Sequence, residues 1–136
     1  MKKVVVVLLL LIAGSLTSAV AKDGEKLVTA KIDSDGVQRV DILGGGYFFN
    51  PNHIIVKVNV PVEFKVKKES GMIPHNIVVN APEAGIDFDV SMGVEPKTIR
   101  FTPTKTGNFP IYCSKKLLFF ESHREKGMEG VLEVVQ

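Results

Sequence analysis

The sequence predicts an all-β protein with the architecture of a Greek-key β-sandwich. Short apolar or alternating runs recur about every eight to twelve residues, as sandwich strands do, and Gly, Pro, Asn and Asp separate them. Within a run the residue types alternate: Val62, Phe64 and Val66 are interleaved with charged residues, which gives a strand one buried and one solvated face. The length of 136 residues fits one domain with a targeting segment.

Ten strands are predicted from these runs. In chain order they cover residues 27–33, 37–43, 47–49, 53–58, 62–67, 75–80, 86–90, 97–102, 108–113 and 130–135. Turn residues separate them, among others Asp35-Gly36, Gly44-Gly45-Gly46, Asn50-Pro51-Asn52, Asn59-Val60-Pro61, Ala81-Pro82 and Lys105-Thr106-Gly107. Segment 114–127 lacks the alternation of a strand, and a short helical turn with Ser114 as its N-cap is predicted there.

The N-terminus has the pattern of a secretory signal peptide. Two lysines precede an apolar run at residues 4–13, and small residues lead to Ala19-Val20-Ala21. The run is shorter than the about 20 apolar residues that a membrane-spanning helix needs. We therefore expect a signal peptide over residues 1–21 and a domain over residues 22–136 in the periplasm or another extracytoplasmic space. The alternative is an uncleaved anchor, which would tether the same domain to the membrane.

Charge and cysteine content exclude several classes of protein. The whole chain has 17 basic and 15 acidic residues, but two of the basic ones, Lys2 and Lys3, belong to the leader, so residues 22–136 are neutral. A nucleic-acid partner is not expected, because phosphate binding needs a clustered basic surface. One cysteine cannot form an internal disulfide. In an exported protein, Cys113 is therefore paired with another chain, buried, or bound to a metal.

Four residues form a candidate metal-ligand set. Cys113, His123 and Met128 lie within sixteen residues of one another, in the segment before the last strand. His75 shares a strand face with Ile77 and Val79, and Cys113 shares one with Ile111, so both should face the interior. A thiolate, two imidazoles and a thioether are the ligands of a blue-copper electron-transfer site, which accepts both Cu(II) and Cu(I). Alone, His75 would be read as a satisfied core histidine, and Met128 as packing.

The order of short motifs resembles the cupredoxins, the family of plastocyanin, azurin and pseudoazurin. The resemblance covers residues 47–136 and rests on Phe49-Asn50-Pro51, Pro74-His75-Asn76-Ile77-Val78, Phe101-Thr102-Pro103, Gly107-Asn108-Phe109, Tyr112-Cys113, Ser122-His123 and Gly127-Met128-Glu129-Gly130-Val131-Leu132. It implies that His75, Cys113 and His123 are equatorial ligands of one copper ion and that Met128 is the axial ligand. It also implies that Asn76 braces the ligand loop through hydrogen bonds near the sulfur.

One feature departs from the family pattern. Nine residues separate Cys113 from His123, where related loops have two to a few. The insertion includes Leu117, Leu118, Phe119 and Phe120, a group called the apolar tip below. These side chains plug the end of the sandwich, form an exposed patch that docks a partner, or divide between the two roles. The insertion could also open a coordination position on the copper. Lys115 and Lys116 either steer an acidic partner or are simply solvated.

Two further candidate ligands have less support. His53 shares the outer strand face with Ile55 and Lys57 and is predicted to be a surface residue. Met72, three residues before His75, is predicted to fill a loop.

The leading expectation is an exported copper protein that carries one electron and is not an enzyme. Its partner would be a cytochrome or a copper or haem oxidase, docking near His123, the histidine expected to be more exposed, and the apolar tip. Three alternatives stay open: an opened copper site that binds a small ligand for catalysis or sensing, a periplasmic copper delivery or storage protein, and a metal-free adaptor. A single cysteine excludes the binuclear centre of oxidase subunit II, and no G-x-S-x-G hydrolase motif occurs.

Overall fold

The computed structural model describes residues 24–136. The predicted signal peptide lies outside the described residues. Within residues 24–136, no helix is long and apolar enough to cross a membrane.

Eleven strands form two mixed sheets. The strands are β1 (Leu27–Thr29), β2 (Lys31–Ile32), β3 (Gln38–Gly45), β4 (Phe48–Asn50), β5 (His53–Lys57), β6 (Val62–Lys68), β7 (His75–Ala81), β8 (Ile86–Met92), β9 (Lys97–Phe101), β10 (Gly107–Tyr112) and β11 (Glu129–Val135). A 3₁₀ turn, Pro82–Ala84, joins β7 to β8. One sheet has the order β1-β5-β11-β10-β7-β8, and the other has the order β2-β3-β6-β9 with β4 beside β3. The predicted all-β sandwich is confirmed.

One predicted strand divides between the two sheets. Residues 27–33 were expected to form a single strand, but β1 pairs in parallel with β5 and β2 pairs with β3 in the opposite sheet. The chain changes sheets at Ala30, whose N–H still donates to the carbonyl of Ile55 at 2.9 Å. The other nine predicted strands form, with ends that differ by one or two residues.

The core lies between the sheets and consists of the inward-facing residues that the alternation predicted. It is almost entirely aliphatic, with Phe64 at its centre in edge-to-face contact with Phe101 at 5.1 Å between ring centroids. Such a core holds its strands rigidly, because close-packed interiors resist displacement.

The strand registers bring several chain segments to one end of the sandwich. Met92 at the end of β8 is paired with His75 at the start of β7, and Tyr112 at the end of β10 is paired with Glu129 at the start of β11. The loops that precede β7, follow β8 and join β10 to β11 therefore meet at the same end. We call it the site end.

Candidate metal centre

The three nitrogen and sulfur ligand candidates are positioned by strand ends. His75 is the first residue of β7, and Cys113 directly follows β10. These strands are neighbours in one sheet, through the pairing of Tyr112 with Val78. His75 and Cys113, 38 positions apart in the chain, therefore lie close together in space. His123 lies in the loop to β11, and its N–H donates to the carbonyl of Lys115 at 2.9 Å. That bond closes the loop at its base, so the nine-residue insertion points outward and His123 lies beside the Cys113 sulfur.

The donor atoms of these residues face a common point. The Nδ1 atoms of His75 and His123 are 3.1 Å apart, and the Cys113 Sγ lies 4.0 Å from the first and 3.5 Å from the second. A triangle with these sides has its equidistant point about 2.1 Å from each atom, close to the lengths of metal–imidazole and metal–thiolate bonds. Among residues 24–136 this is the one group of three such side chains close enough to share a metal ion.

The donor side chains are buried, and burial lowers the pKa of both imidazoles. Cys113 is fully buried, and His75 and His123 are only 5% and 6% exposed. Burial lowers the pKa of His75, and the charges of His123 and Lys68 lower it further. Burial likewise lowers the pKa of His123, with a contribution from Lys126. A neutral imidazole has a free nitrogen lone pair, which is the form that binds a metal.

Met128 is fully buried and is hydrogen-bonded through its backbone to two members of this group. Its carbonyl accepts a hydrogen bond from the Cys113 N–H at 3.1 Å, and its own N–H donates to the carbonyl of His123 at 2.9 Å. A Cβ added to Gly44 would lie 3.3 Å from Met128 Cε and 2.9 Å from Met92 Cε. Two thioether side chains therefore pack against the bare backbone of Gly44. The structure brings all four sequence-predicted ligands to one place.

Asn76 ties the strand that carries His75 to the residue after Cys113. Its side-chain oxygen accepts from the Ser114 N–H at 2.8 Å. Its amide nitrogen donates to Ser114 Oγ at 2.8 Å and to Asp89 Oδ1 at 2.7 Å. The two bonds to Ser114 fix the start of the ligand loop relative to the sheet, and the third ties Asn76 to β8.

The helical turn of the loop starts later than the sequence analysis predicted. Ser114 is not an N-cap, because its backbone and hydroxyl groups are bonded to Asn76. The turn begins instead at Ser122, whose hydroxyl accepts from the Glu125 N–H at 3.2 Å while the Glu125 carboxylate accepts from the Ser122 N–H at 2.6 Å. This is a capping box, and it sets His123 in the first turn.

Tyr47 is a site residue that the sequence analysis missed. Its ring lies edge-on to His123 and His75, at 5.0 and 6.2 Å between centroids. Lys126 covers the outer face of the tyrosine ring, with its Nζ 4.6 Å from the centroid. His123 is scarcely more exposed than His75, at 6% against 5%. In the sequence, Tyr47 directly follows three glycines, and that pattern alone does not indicate a contact with a residue far along the chain.

The apolar tip does not plug the sandwich. All four of its side chains are exposed, by 65% at Leu117, 75% at Leu118, 85% at Phe119 and 52% at Phe120. Of the three alternatives, the exposed patch is the one that the structure contains.

The two weaker candidates lie away from the ligand group. His53 on the outer face of β5 contacts Glu25 at 2.7 Å and Glu133 at 2.8 Å, and these carboxylates raise its pKa. Met72 is fully exposed, so it does not fill its loop as predicted.

Comparison with known proteins places the fold. No protein-family model matches the sequence, and no curated protein matches it. Among solved structures, the metal-binding domain of the Streptococcus pneumoniae Cu(I)-exporting P-type ATPase CopA, with Cu(I), has a TM-score of 0.63 at 23% identity, covering 82% of this chain and 97% of that one. Reduced auracyanin from Roseiflexus castenholzii has a TM-score of 0.53 at 20% identity, covering 79% and 99%. The periplasmic domain of cytochrome oxidase subunit II from Bradyrhizobium japonicum has a TM-score of 0.55 at 15% identity, covering 79% and 86%. The fold is the cupredoxin-like β-sandwich that the motifs predicted.

Proposed function

We propose that this chain is an exported mononuclear copper protein that carries one electron at a time. The observation that carries the proposal is the arrangement of the two imidazole nitrogens and the thiol sulfur about one point, at 3.1, 3.5 and 4.0 Å from one another. One soft sulfur and two imidazoles in a near-equilateral triangle fit copper in a trigonal site. Structural neighbours that bind copper or belong to respiratory oxidases support it.

His75, Cys113 and His123 would hold the metal, and the thioether of Met128 would be the weakest of its four donors. Bound copper would supply a one-electron couple between Cu(II) and Cu(I). The protein's part is to keep the donor atoms fixed in both states. Strand ends hold two of them, and the capping box and the Asn76 bonds hold the loop that carries the others, so little rearrangement accompanies a change of charge.

The burial of the site favours an electron carrier over an enzyme or sensor with an open coordination position. The insertion after Cys113 projects away from the donor atoms, and Tyr47 and Lys126 cover His123 from outside. A small ligand would have to displace this cover to reach the metal.

We propose the site end as the surface that meets a redox partner, which would be a cytochrome or a copper or haem oxidase outside the cytoplasmic membrane. The rate of electron transfer falls steeply with the distance between donor and acceptor, so the partner would dock near His123. With that imidazole buried, the adjacent Tyr47 and Lys126 form the surface closest to it.

Copper delivery or storage is the second candidate. It is favoured by the structural similarity to a domain solved with Cu(I), and by the second buried thioether, Met92, beside Met128. Thioethers prefer Cu(I), and a delivery protein must release its copper to an acceptor.

A redox cycle with a competing chelator separates the two functions. The copper-loaded domain, residues 22–136, is reduced with ascorbate and reoxidised with ferricyanide in the presence of a Cu(I) chelator. An electron carrier keeps its copper through repeated cycles, whereas a delivery protein loses it to the chelator on first reduction. Met128→Leu should weaken retention, and Met72→Leu, at an exposed methionine near the same end, is the matched control.

A further inference from the structure

We propose that the apolar tip inserts into the surface of a lipid bilayer that contains negatively charged headgroups. This inference goes beyond the copper function and does not depend on it, because it rests on the side chains between the ligands rather than on the ligands.

The tip is a closed turn made only of large apolar residues. The Phe120 N–H donates to the Leu117 carbonyl at 3.0 Å, and the rings of Phe119 and Phe120 stack with centroids 4.9 Å apart. With exposures of 52% to 85%, the four side chains are surrounded by solvent on most sides. Soluble proteins rarely expose such groups unless the surface is used for contact.

The backbone at the tip holds an apolar side chain in a conformation that such residues disfavour. Leu118 has a φ of 48°, in the left-handed region that glycine and asparagine occupy most readily. Either of those residues would relieve the turn. A leucine at this position instead adds an exposed apolar side chain, which suits a surface that is covered in use.

Hydrogen bonds also anchor the base of the tip to the sandwich. The bond from the His123 N–H to the Lys115 carbonyl, 2.9 Å, closes the base of the loop, and the bonds between Ser114 and Asn76 fix its start. A preorganised tip loses little freedom on insertion, so more of the contact energy appears as affinity.

Charge around the tip complements an anionic surface. Residues 114–127 contain four basic and two acidic residues, whereas the rest of residues 24–136 contains ten basic and twelve acidic ones. Lys115 and Lys116 directly precede the tip, where their ammonium groups could lie at headgroup level while the apolar side chains enter the acyl region.

Neighbouring loops at the site end also expose apolar residues. Seven of the nine exposed large apolar residues of the described chain lie on its loops: the four of the tip together with Met72, Ile73 and Val94. A flat protein surface or a second copy of the chain could cover one side of a projecting turn. Lipid chains can surround it, which fits side chains that are open on most sides.

A single tryptophan can report insertion, because the chain contains none. Phe119→Trp is made in the domain of residues 22–136, since both described sheets and the core between them lie within residues 24–136. Vesicles of phosphatidylcholine with phosphatidylglycerol should shift its emission to the blue, and brominated acyl chains should quench it. Ile32→Trp, at an exposed apolar residue of the opposite end, is the matched control and should show neither change. An emission from the Phe119→Trp variant that is neither shifted nor quenched overturns the proposal.

Co-flotation with the same vesicles tests the contribution of each feature. Phe119→Ser with Phe120→Ser should raise the lipid concentration for half-maximal binding at least about 100-fold, since each buried aromatic contributes about tenfold or more. Lys115→Gln with Lys116→Gln should raise it about 25-fold, about fivefold per lysine. The proposal fails if the unaltered domain does not float, or if the serine variant floats equally well. Failure to float, combined with concentration-dependent dimerisation that the serine variant abolishes, would assign the tip to a second copy of the chain instead.

Discussion

Replacing Asn76 by alanine should uncouple the ligand loop from the sheet. The side chain is 2% exposed and makes three hydrogen bonds, two with Ser114 at 2.8 Å and one with Asp89 at 2.7 Å. Each such bond contributes about 1 kcal/mol net to stability. Ser114 and Asp89 lie partly in solvent and can partly rebind water, so the expected loss in unfolding free energy is about 2–3 kcal/mol rather than more.

The assay is urea unfolding of the metal-free domain, followed by copper titration. Besides the lower midpoint, we expect a copper affinity reduced about 10- to 100-fold, as is typical when a residue that orients a ligand is lost. Asn80→Ala is the matched control: it lies on the same strand, is exposed and should change neither quantity by a measurable amount. A loss below about 1 kcal/mol with unchanged copper affinity would refute the reasoning, because the loop would then be held by other contacts.

Three more predictions follow from particular contacts. The pKa of His53 is raised by the two glutamates that bind it. The protonated imidazole therefore stabilises the folded protein fully below the ordinary histidine pKa of about 6.5, and this stabilisation disappears as pH rises through the raised folded pKa. Urea unfolding midpoints measured from about pH 6 to 9 should fall, and His53→Gln should flatten that dependence. Gly130→Ala places a Cβ against the backbone carbonyl oxygen of Asn52 and should lower the unfolding free energy by about 3 kcal/mol. A Cβ at Gly46 would have no neighbouring atom nearer than 3.7 Å, so Gly46→Ala should unfold at nearly the same urea concentration as the unaltered protein. Equal urea midpoints for the two variants would contradict this. Tyr47→Ala should uncover His123 and let azide change the visible spectrum of the copper-loaded protein, while the spectrum of Tyr47→Phe should not respond to azide. Equal azide responses in the two variants would show that the tyrosine ring does not shield the metal.

Alternation of residue types was sufficient to predict the strands, because burial on one face of a sheet leaves a period of two in the sequence. It could not predict the division of residues 27–33, since both halves alternate equally well and only the position of β5 and β3 decides their partners. The capping box at Ser122 was present in the sequence as a Ser-x-x-Glu pattern. The segment offers two serines as N-caps, and Ser114, directly after a strand, stands at the more obvious boundary.

The candidate site was predictable in composition but not in exposure. Cys113, His123 and Met128 are close in sequence, and the inward register of His75 indicated the fourth member. The burial of His123 depends on Tyr47, which is 76 positions away in the chain and brought near by the meeting of two loops. The outward direction of the apolar tip depends on one turn, closed between Leu117 and Phe120, that a run of apolar letters does not specify.

The most direct test of the copper site is visible absorption and electron paramagnetic resonance of the domain of residues 22–136 with one equivalent of Cu(II). We expect an intense thiolate-to-copper band and a narrow copper hyperfine splitting, both lost in Cys113→Ala and both kept in His53→Gln, the histidine outside the site. A spectrum that is the same with and without the Cys113 sulfur would contradict the account, because copper would then be bound elsewhere on the chain.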